Sequence, residues 1–229
     1  MVRNFQISNV RTFHLFKMLN RGRRLIFICT YYVYCVIMSS YYKYRSLSDW
    51  KRFVDIIVSN RLYAAYYKCL NDPMEGRYSY NGKGKHIKPE VYSQMKALRV
   101  LSLTCDSRNW LMWSHYANGH TGCCIELGMT KYSRLSPKPI KYVDKLPIRR
   151  YINTGEDLLC YKSKIWEYEN EVRVLTKSPF VKIVIKSITF GYRVSDKDFS
   201  LLKKMICKIT PELENKIIRI KKEDLLDGF

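Results

Sequence analysis

At 229 residues and 47% hydrophobic content the chain can bury a substantial core without disulfides, and one domain is the simplest count. Its 41 Lys and Arg against 20 Asp and Glu give a formal charge of +21, which points to polyanions as partners or substrates, or else reflects a composition rich in Lys, Ile, Asn and Tyr. The eight cysteines form no Cys-x-x-Cys pair and have no histidine at metal spacing, so reduced cytoplasmic thiols are expected and a zinc site is not.

Residues 1–37 differ from everything after them. They carry six basic residues, Arg3, Arg11, Lys17, Arg21, Arg23 and Arg24, and no acid. The apolar run Leu25–Met38 that follows has fourteen residues, short of the ~20 that a membrane-spanning helix needs. A basic flank before a short apolar run resembles a signal peptide or weak anchor, but Ser39-Ser40-Tyr41 offers no small-x-small cleavage site. The preferred reading is a start at Met38, with 1–37 a mis-assigned extension and 38–229 one domain. No membrane partner is expected.

Tyr41–Leu47 alternates as a strand, with Tyr42 and Tyr44 on one face and Lys43 and Arg45 on the other. Ser48 or Asp49 caps a helix carrying Trp50, Phe53, Val54, Ile57 and Val58, and Leu62–Ala65 reads as a second strand. Asn71-Asp-Pro-Met-Glu75 is a turn, because the residue before proline leaves helical angles and Asn and Asp side chains bond the backbone; Glu75 remains as a carboxylate near a loop mouth. Arg77–Lys88 is a polar loop or lid without a phosphate-binding fingerprint. A helix over Pro89–Leu98 precedes the strand Val100–Thr104, whose Ser102 and Thr104 share a face.

Asp106 or Ser107 is expected to cap a helix through Ala117, ended by Asn118-Gly119 and buried on most sides. His115 has two readings. It is a hydrogen-bonded core histidine, or it lines a pocket with Tyr116 beside an aromatic surface suited to stacking a planar ring. Gly122–Leu127 reads as a buried strand, and Leu158–Lys164 as a helix.

Trp166–Leu175 then reads as a strand with Trp166, Tyr168, Val172 and Val174 on one face and Glu167, Glu169, Glu171 and Arg173 on the other. Three carboxylates in a row repel unless water, arginine or a ligand takes up their charge, so the face is either a functional site or an exposed edge strand charged against aggregation. Phe180–Ile185 and Ser187–Gly191 are two further strands, Ser195 caps a helix through Cys207, and Ile217–Ile220 is a last strand. The fold class expected is α+β, a central mixed or antiparallel sheet flanked by helices.

Tyr42-Lys-Tyr-Arg45, Asn71-Asp-Pro-Met-Glu75, Ser102-Leu-Thr104, Met112-Trp-Ser-His-Tyr-Ala117, His120-Thr-Gly-Cys-Cys-Ile-Glu126 and Trp166-x-x-Glu-x-Glu-x-Arg173 resemble, in order, the motifs of the bacterial and phage domain of unknown function DUF2971. The resemblance runs from about Tyr41 to Cys207, and the family name carries no activity. The order of an aromatic strand with Arg, a Ser-x-Thr strand and a Glu-x-Glu strand also resembles the ADP-ribosyltransferase plan. That resemblance implies an ADP-ribosyltransferase-like fold in which Arg45 holds the phosphates of NAD, Ser102 and Thr104 shape the nicotinamide pocket, Glu171 is the catalytic carboxylate and Glu169 orients the acceptor. Tyr44, Trp113 or Tyr116 would stack on nicotinamide, while His115 has no required role and stands as an alternative polar anchor. A fixed anion beside the ribose suits the chemistry, because cleaving the glycosidic bond passes through an oxocarbenium-like state.

The first functional reading is therefore NAD binding with transfer of ADP-ribose to a polyanionic acceptor such as nucleic acid. The rival is a non-catalytic nucleic-acid or nucleotide binding module of a defence or mobile-element system, favoured by the basic charge and 19 tyrosines. A third is a nuclease holding a metal ion on Asp72, Glu75, Glu169 and Glu171.

Overall fold

The computed structural model describes residues 40–79, 89–130, 135–147 and 152–225, so the N-terminal extension and most of the loop read as a lid lie outside the described residues. In chain order the elements are β1 (Tyr41–Arg45), α1 (Trp50–Ser59), β2 (Arg61–Tyr63), β3 (Ala65–Tyr66), α2 (Pro89–Ala97), β4 (Arg99–Thr104), α3 (Trp110–Tyr116) and β5 (Cys123–Met129). There follow β6 (Lys138–Pro139), β7 (Lys141–Val143), α4 (Gly155–Leu158), β8 (Tyr161–Ser163), β9 (Glu171–Thr176), β10 (Phe180–Phe190), α5 (Asp196–Ile209) and β11 (Ile217–Arg219).

Nine strands make one sheet in the order β11-β10-β5-β1-β4-β9-β6, with β2 added to β10 and β3 to β4; β7 and β8 form a separate parallel pair. Every pairing in the large sheet is antiparallel except β10 with β11. The fold is thus α+β with a mixed, largely antiparallel sheet. β1, which holds Lys43 and Arg45, runs near its middle.

Local chemistry explains most boundaries. Asp49 caps α1 by accepting from the Arg52 amide, and the helix buries Phe53, Ile56 and Ile57 while leaving Trp50 and Val58 in solvent. Ser195 caps α5 in the same way through the Asp198 amide. The two strands expected on either side of Lys186 are one, and the break in their alternation is a β-bulge between Ile185 and Ser187 that resets which side chains face inward. The helix expected over Leu158–Lys164 ends at Leu158, after a capping box of Thr154 and Asp157, and the chain then extends into β8.

Helix α3 departs further from expectation. Its cap is Asn109, whose side chain accepts from the Leu111 and Met112 amides at 3.0 and 3.2 Å, while Asp106 accepts from the Arg108 amide at 2.8 Å. It buries Met112 and Trp113 but leaves Trp110, Leu111, Ser114 and His115 exposed. A helix of seven residues, it is packed on one side by Tyr44, Ala117 and Cys124, and among the described residues no second layer covers its outer face.

The start of β5 is pressed against β1. A Cβ on Gly122 would lie 2.2 Å from the Arg45 carbonyl oxygen, so no other residue allows this approach. A second core cluster, including Val91, Met95, Val100, Leu158 and Leu175, lies between α2, α4 and the sheet. Cys69, Cys123, Cys124, Cys160 and Cys207 are free thiols, but Cys105 is disulfide-bonded, so the expectation that every cysteine is reduced is corrected at that position. Among the described residues no helix is long and apolar enough to cross a membrane.

Candidate functional site

The acidic segment does not form the strand its alternation suggests. Lys164–Glu169 is a 3-10 helix, Asn170 turns left-handed at φ 45°, and β9 starts only at Glu171. Asparagine tolerates this conformation, and its amide closes the turn on the Glu167 carbonyl at 3.1 Å. The row of four charged side chains on one face is therefore corrected. Glu167 is exposed, whereas Glu169 and Glu171 are each 4% exposed and Arg173 is fully buried.

Buried charges need partners, and here they form a continuous chain. Asn71 Nδ2 donates to the Tyr116 hydroxyl at 2.5 Å, and that hydroxyl donates to Glu169 Oε1. Lys162 Nζ bonds Glu169 Oε2 and, at 2.9 Å, Glu171 Oε2. Arg173 takes Glu171 Oε1 through Nε at 2.7 Å and Glu171 Oε2 through Nη2 at 3.1 Å. Its Nη2 also reaches Glu75 Oε1 at 2.6 Å, and Nη1 donates to the Leu159 carbonyl at 2.7 Å. The chain thus begins and ends in the Asn71–Glu75 turn. Asp72 docks that turn onto β8 by accepting from the Ser163 amide at 2.6 Å, beside Lys162, and also accepts from the Met74 amide at 2.9 Å. The segment read as a turn alone is a clamp between the two halves of the network.

Charge bookkeeping separates the roles of the acids. Burial pulls the Glu171 carboxyl upward, but Arg173 and Lys162 outweigh it and hold the group at about 2, with the Ser102 hydroxyl adding to the effect. Arg173 Nε and Nη2, Lys162 Nζ and Ser102 then fill the roughly four acceptor sites of this carboxylate. Among the described residues Glu169 accepts from Tyr116 and Lys162. Three carboxylates against Lys162 and Arg173 leave one negative charge in excess. Burial opposes it at Glu75, whose carboxyl is raised to about 7 and whose Oε2 has no hydrogen-bond partner among the described residues.

Next to this neutral network, a cavity of about 250 Å³ is lined by residues of β1, β4, α3, β8 and the acidic turn. It opens where the two central strands separate. β1 pairs with β5 along its whole length and β4 pairs with β9 along its own, but β1 and β4 meet in register only at Tyr42 and Thr104. Lys43 crosses the gap, its Nζ donating to the Ser102 carbonyl at 2.6 Å. Burial, with Arg45 adding to it, lowers the Lys43 ammonium to about 7. Arg45 lines the same cavity, has a buried Nε with no partner, and is lowered to about 10 mainly by burial.

The structure gathers most of the residues singled out from sequence. Arg45, Tyr44, Ser102, Thr104, Tyr116, Glu169 and Glu171 all line this cavity. Two do not. Trp113 is fully buried, stacked on His120 and met edge-on by Tyr44, so it presents no face to a ligand. His115 is exposed on the outer side of α3, with Nδ1 3.0 Å from the Tyr168 hydroxyl, and is neither a core histidine nor a cavity residue. The buried histidine is His120, wedged between Trp113 and Tyr192. Sequence reasoning passed over Lys43 and Lys162 as site residues; a lysine within reach of three glutamates leaves no local pattern when two of them follow a turn. The acids proposed for a metal ion are occupied differently, since Glu75, Glu169 and Glu171 face Lys162 and Arg173, and Asp72 faces backbone amides.

A larger cavity, about 400 Å³, lies between Asp106–Leu111 and Asp224–Leu225. Its lining includes Arg108 and Asn109, but its carboxylates close local turns, Asp106 on the Arg108 amide and Asp224 on the Lys221 amide. The smaller cavity, with unmatched cations opposite two acids, is the candidate site. No protein-family model matches the chain, and no curated protein or solved structure does.

Proposed function

We propose that the cavity binds the phosphorylated, hydroxyl-rich part of a nucleotide, with NAD as the candidate ligand and transfer of ADP-ribose, on an ADP-ribosyltransferase-like plan, as the reaction. One observation carries this reading: Arg45, whose Nε is buried with no hydrogen-bond partner among the described residues, lines the cavity that Glu169 and Glu171 also line. A guanidinium fork matches a phosphate, and its desolvation is offset only when an anion arrives. Opposite it, Glu169 retains acceptor capacity for ribose hydroxyls, while Glu171 is a permanent anion that can stabilise positive charge developing at a glycosidic carbon. Of the two acids Glu169 is then the one that touches substrate, and Glu171 acts through field and position. Ser102, Thr104 and Tyr116 supply the neutral polar lining. At about 250 Å³ the cavity suits one nucleoside half, leaving the remainder of a dinucleotide at its mouth.

The test is nicotinamide release from NAD by the full chain, with calorimetry of NAD and ADP-ribose beside it. Release is expected to fall at least tenfold in both Arg45→Ala and Glu169→Gln. Absence of both binding and release in the unaltered protein would overturn the reading.

A further inference from the structure

Two lysines reach one cavity and meet opposite environments. Lys162 Nζ lies within 4 Å of carboxylate oxygens from Glu75, Glu169 and Glu171. Among the described residues Lys43 Nζ has one hydrogen-bond acceptor, the Ser102 carbonyl, and no carboxylate at ion-pair distance, although an ammonium offers three donors. It sits two residues from Arg45 on β1, so the nearest charge on its own strand repels a second positive charge.

We propose that Lys43 is the nucleophile of this cavity, an amine that condenses with the carbonyl group of a phosphorylated aldehyde or reducing sugar whose phosphate rests on Arg45. The amine lone pair attacks the carbonyl carbon, and the carbonyl oxygen leaves as water with the two amine hydrogens. An imine to Nζ remains, and no oxidant or reductant takes part. Burial and Arg45, opposed by Glu171 and Glu169 and assisted by Lys162, hold the amine near about 7, so a large share is unprotonated in neutral solution. The inference rests on the reading of the cavity as a phosphate site but not on NAD being the ligand.

Pyridoxal 5′-phosphate, which carries both an aldehyde and a phosphate, is the probe. The full chain is treated with limiting reagent between pH 6 and 9, reduced with borohydride, and its modified lysines are mapped by mass spectrometry. Lys43 is expected to be modified at least tenfold more than the average lysine, rising with pH around 7. Lys43→Arg removes that adduct, and Arg45→Met weakens labelling by the phosphate reagent about tenfold but not by pyridoxal. Circular dichroism confirms that both variants fold. Adducts spread evenly over exposed lysines, or an unchanged total in Lys43→Arg, would overturn the proposal. Labelling of Lys43 that excess NAD leaves untouched supports the amine and overturns the NAD reading; NAD binding beside an unlabelled Lys43 overturns the amine alone.

Discussion

The two walls of the cavity are both built from buried charge, yet they handle it in opposite ways. On the β8–β9 wall, Glu75, Glu169, Glu171, Lys162 and Arg173 pair through direct contacts of 3.9 Å or less, with Glu75 Oε2 alone of their carboxylate oxygens left without a partner among the described residues. On the β1 wall, Lys43 has a single carbonyl for company, and Arg45 has a buried nitrogen with none. A self-neutralised network rigidifies the fold and asks nothing of a ligand. An unmatched pair of cations weakens the free protein and is relieved by a bound anion. The first wall is therefore predicted to govern stability, and the second binding.

The sharpest way to break that contrast is Arg173→Met, which leaves buried Glu75 and Glu171 with Lys162 as their one remaining cation among the described residues; urea unfolding at pH 7 is expected to show a loss of about 3–5 kcal/mol. Lys162→Met follows at roughly 2–3 kcal/mol, because Arg173 still holds Glu171, and adding Glu169→Gln is expected to restore part of it, as a double-mutant cycle would read. If either substitution left stability unchanged, the network would not be the keystone described here.

Smaller effects come from titration. Glu171, held at about 2 in the fold and near 4.3 when unfolded, stabilises above pH 4.3, and that contribution is lost as the pH falls toward 2. Glu75 has the opposite sign. Raised to about 7, it keeps its proton in the folded state between pH 4.3 and 7, so its contribution declines as the pH rises through that window. Denaturation curves across this range should show the decline in the unaltered protein and a flatter profile in Glu75→Gln. On the other wall, Arg45→Met is expected to change stability by about 1 kcal/mol or less, since Nε makes no hydrogen bond among the described residues and a desolvated charge is removed, while phosphate-ligand binding falls tenfold or more. His115→Ala should change stability by no more than about 0.5 kcal/mol and leave ligand binding intact, because the side chain is exposed and off the cavity.

Much of this was legible in the chain. The strand at Tyr41–Arg45, the caps at Asp49 and Ser195, and the paired Ser102 and Thr104 were readable because period, cap chemistry and turn residues act over a few positions. Regions where local signals conflict with packing were not. Glu167 to Arg173 alternates like a strand, but the left-handed Asn170 breaks it, and among the described residues no second layer buries the outer face of α3. Asn71-Asp72-Pro73 explained itself as a turn, which concealed that Asn71 and Asp72 also bond residues 45 and 91 positions away.

The amino-acid order by itself determined the α+β class, the placement of most elements and the gathering of Arg45, Ser102, Thr104, Tyr116, Glu169 and Glu171 as candidates, since these follow from short-range preferences and from a recognisable succession of motifs. Only the tertiary structure decided which charges cancel and which are left over. Whether a lysine meets three carboxylates or one carbonyl depends on segments brought together from 71–75, 99–104 and 162–173, and on a gap between β1 and β4 that no local pattern encodes. Electrostatic compensation is a sum over neighbours in space, and sequence spacing lists neighbours only along the chain.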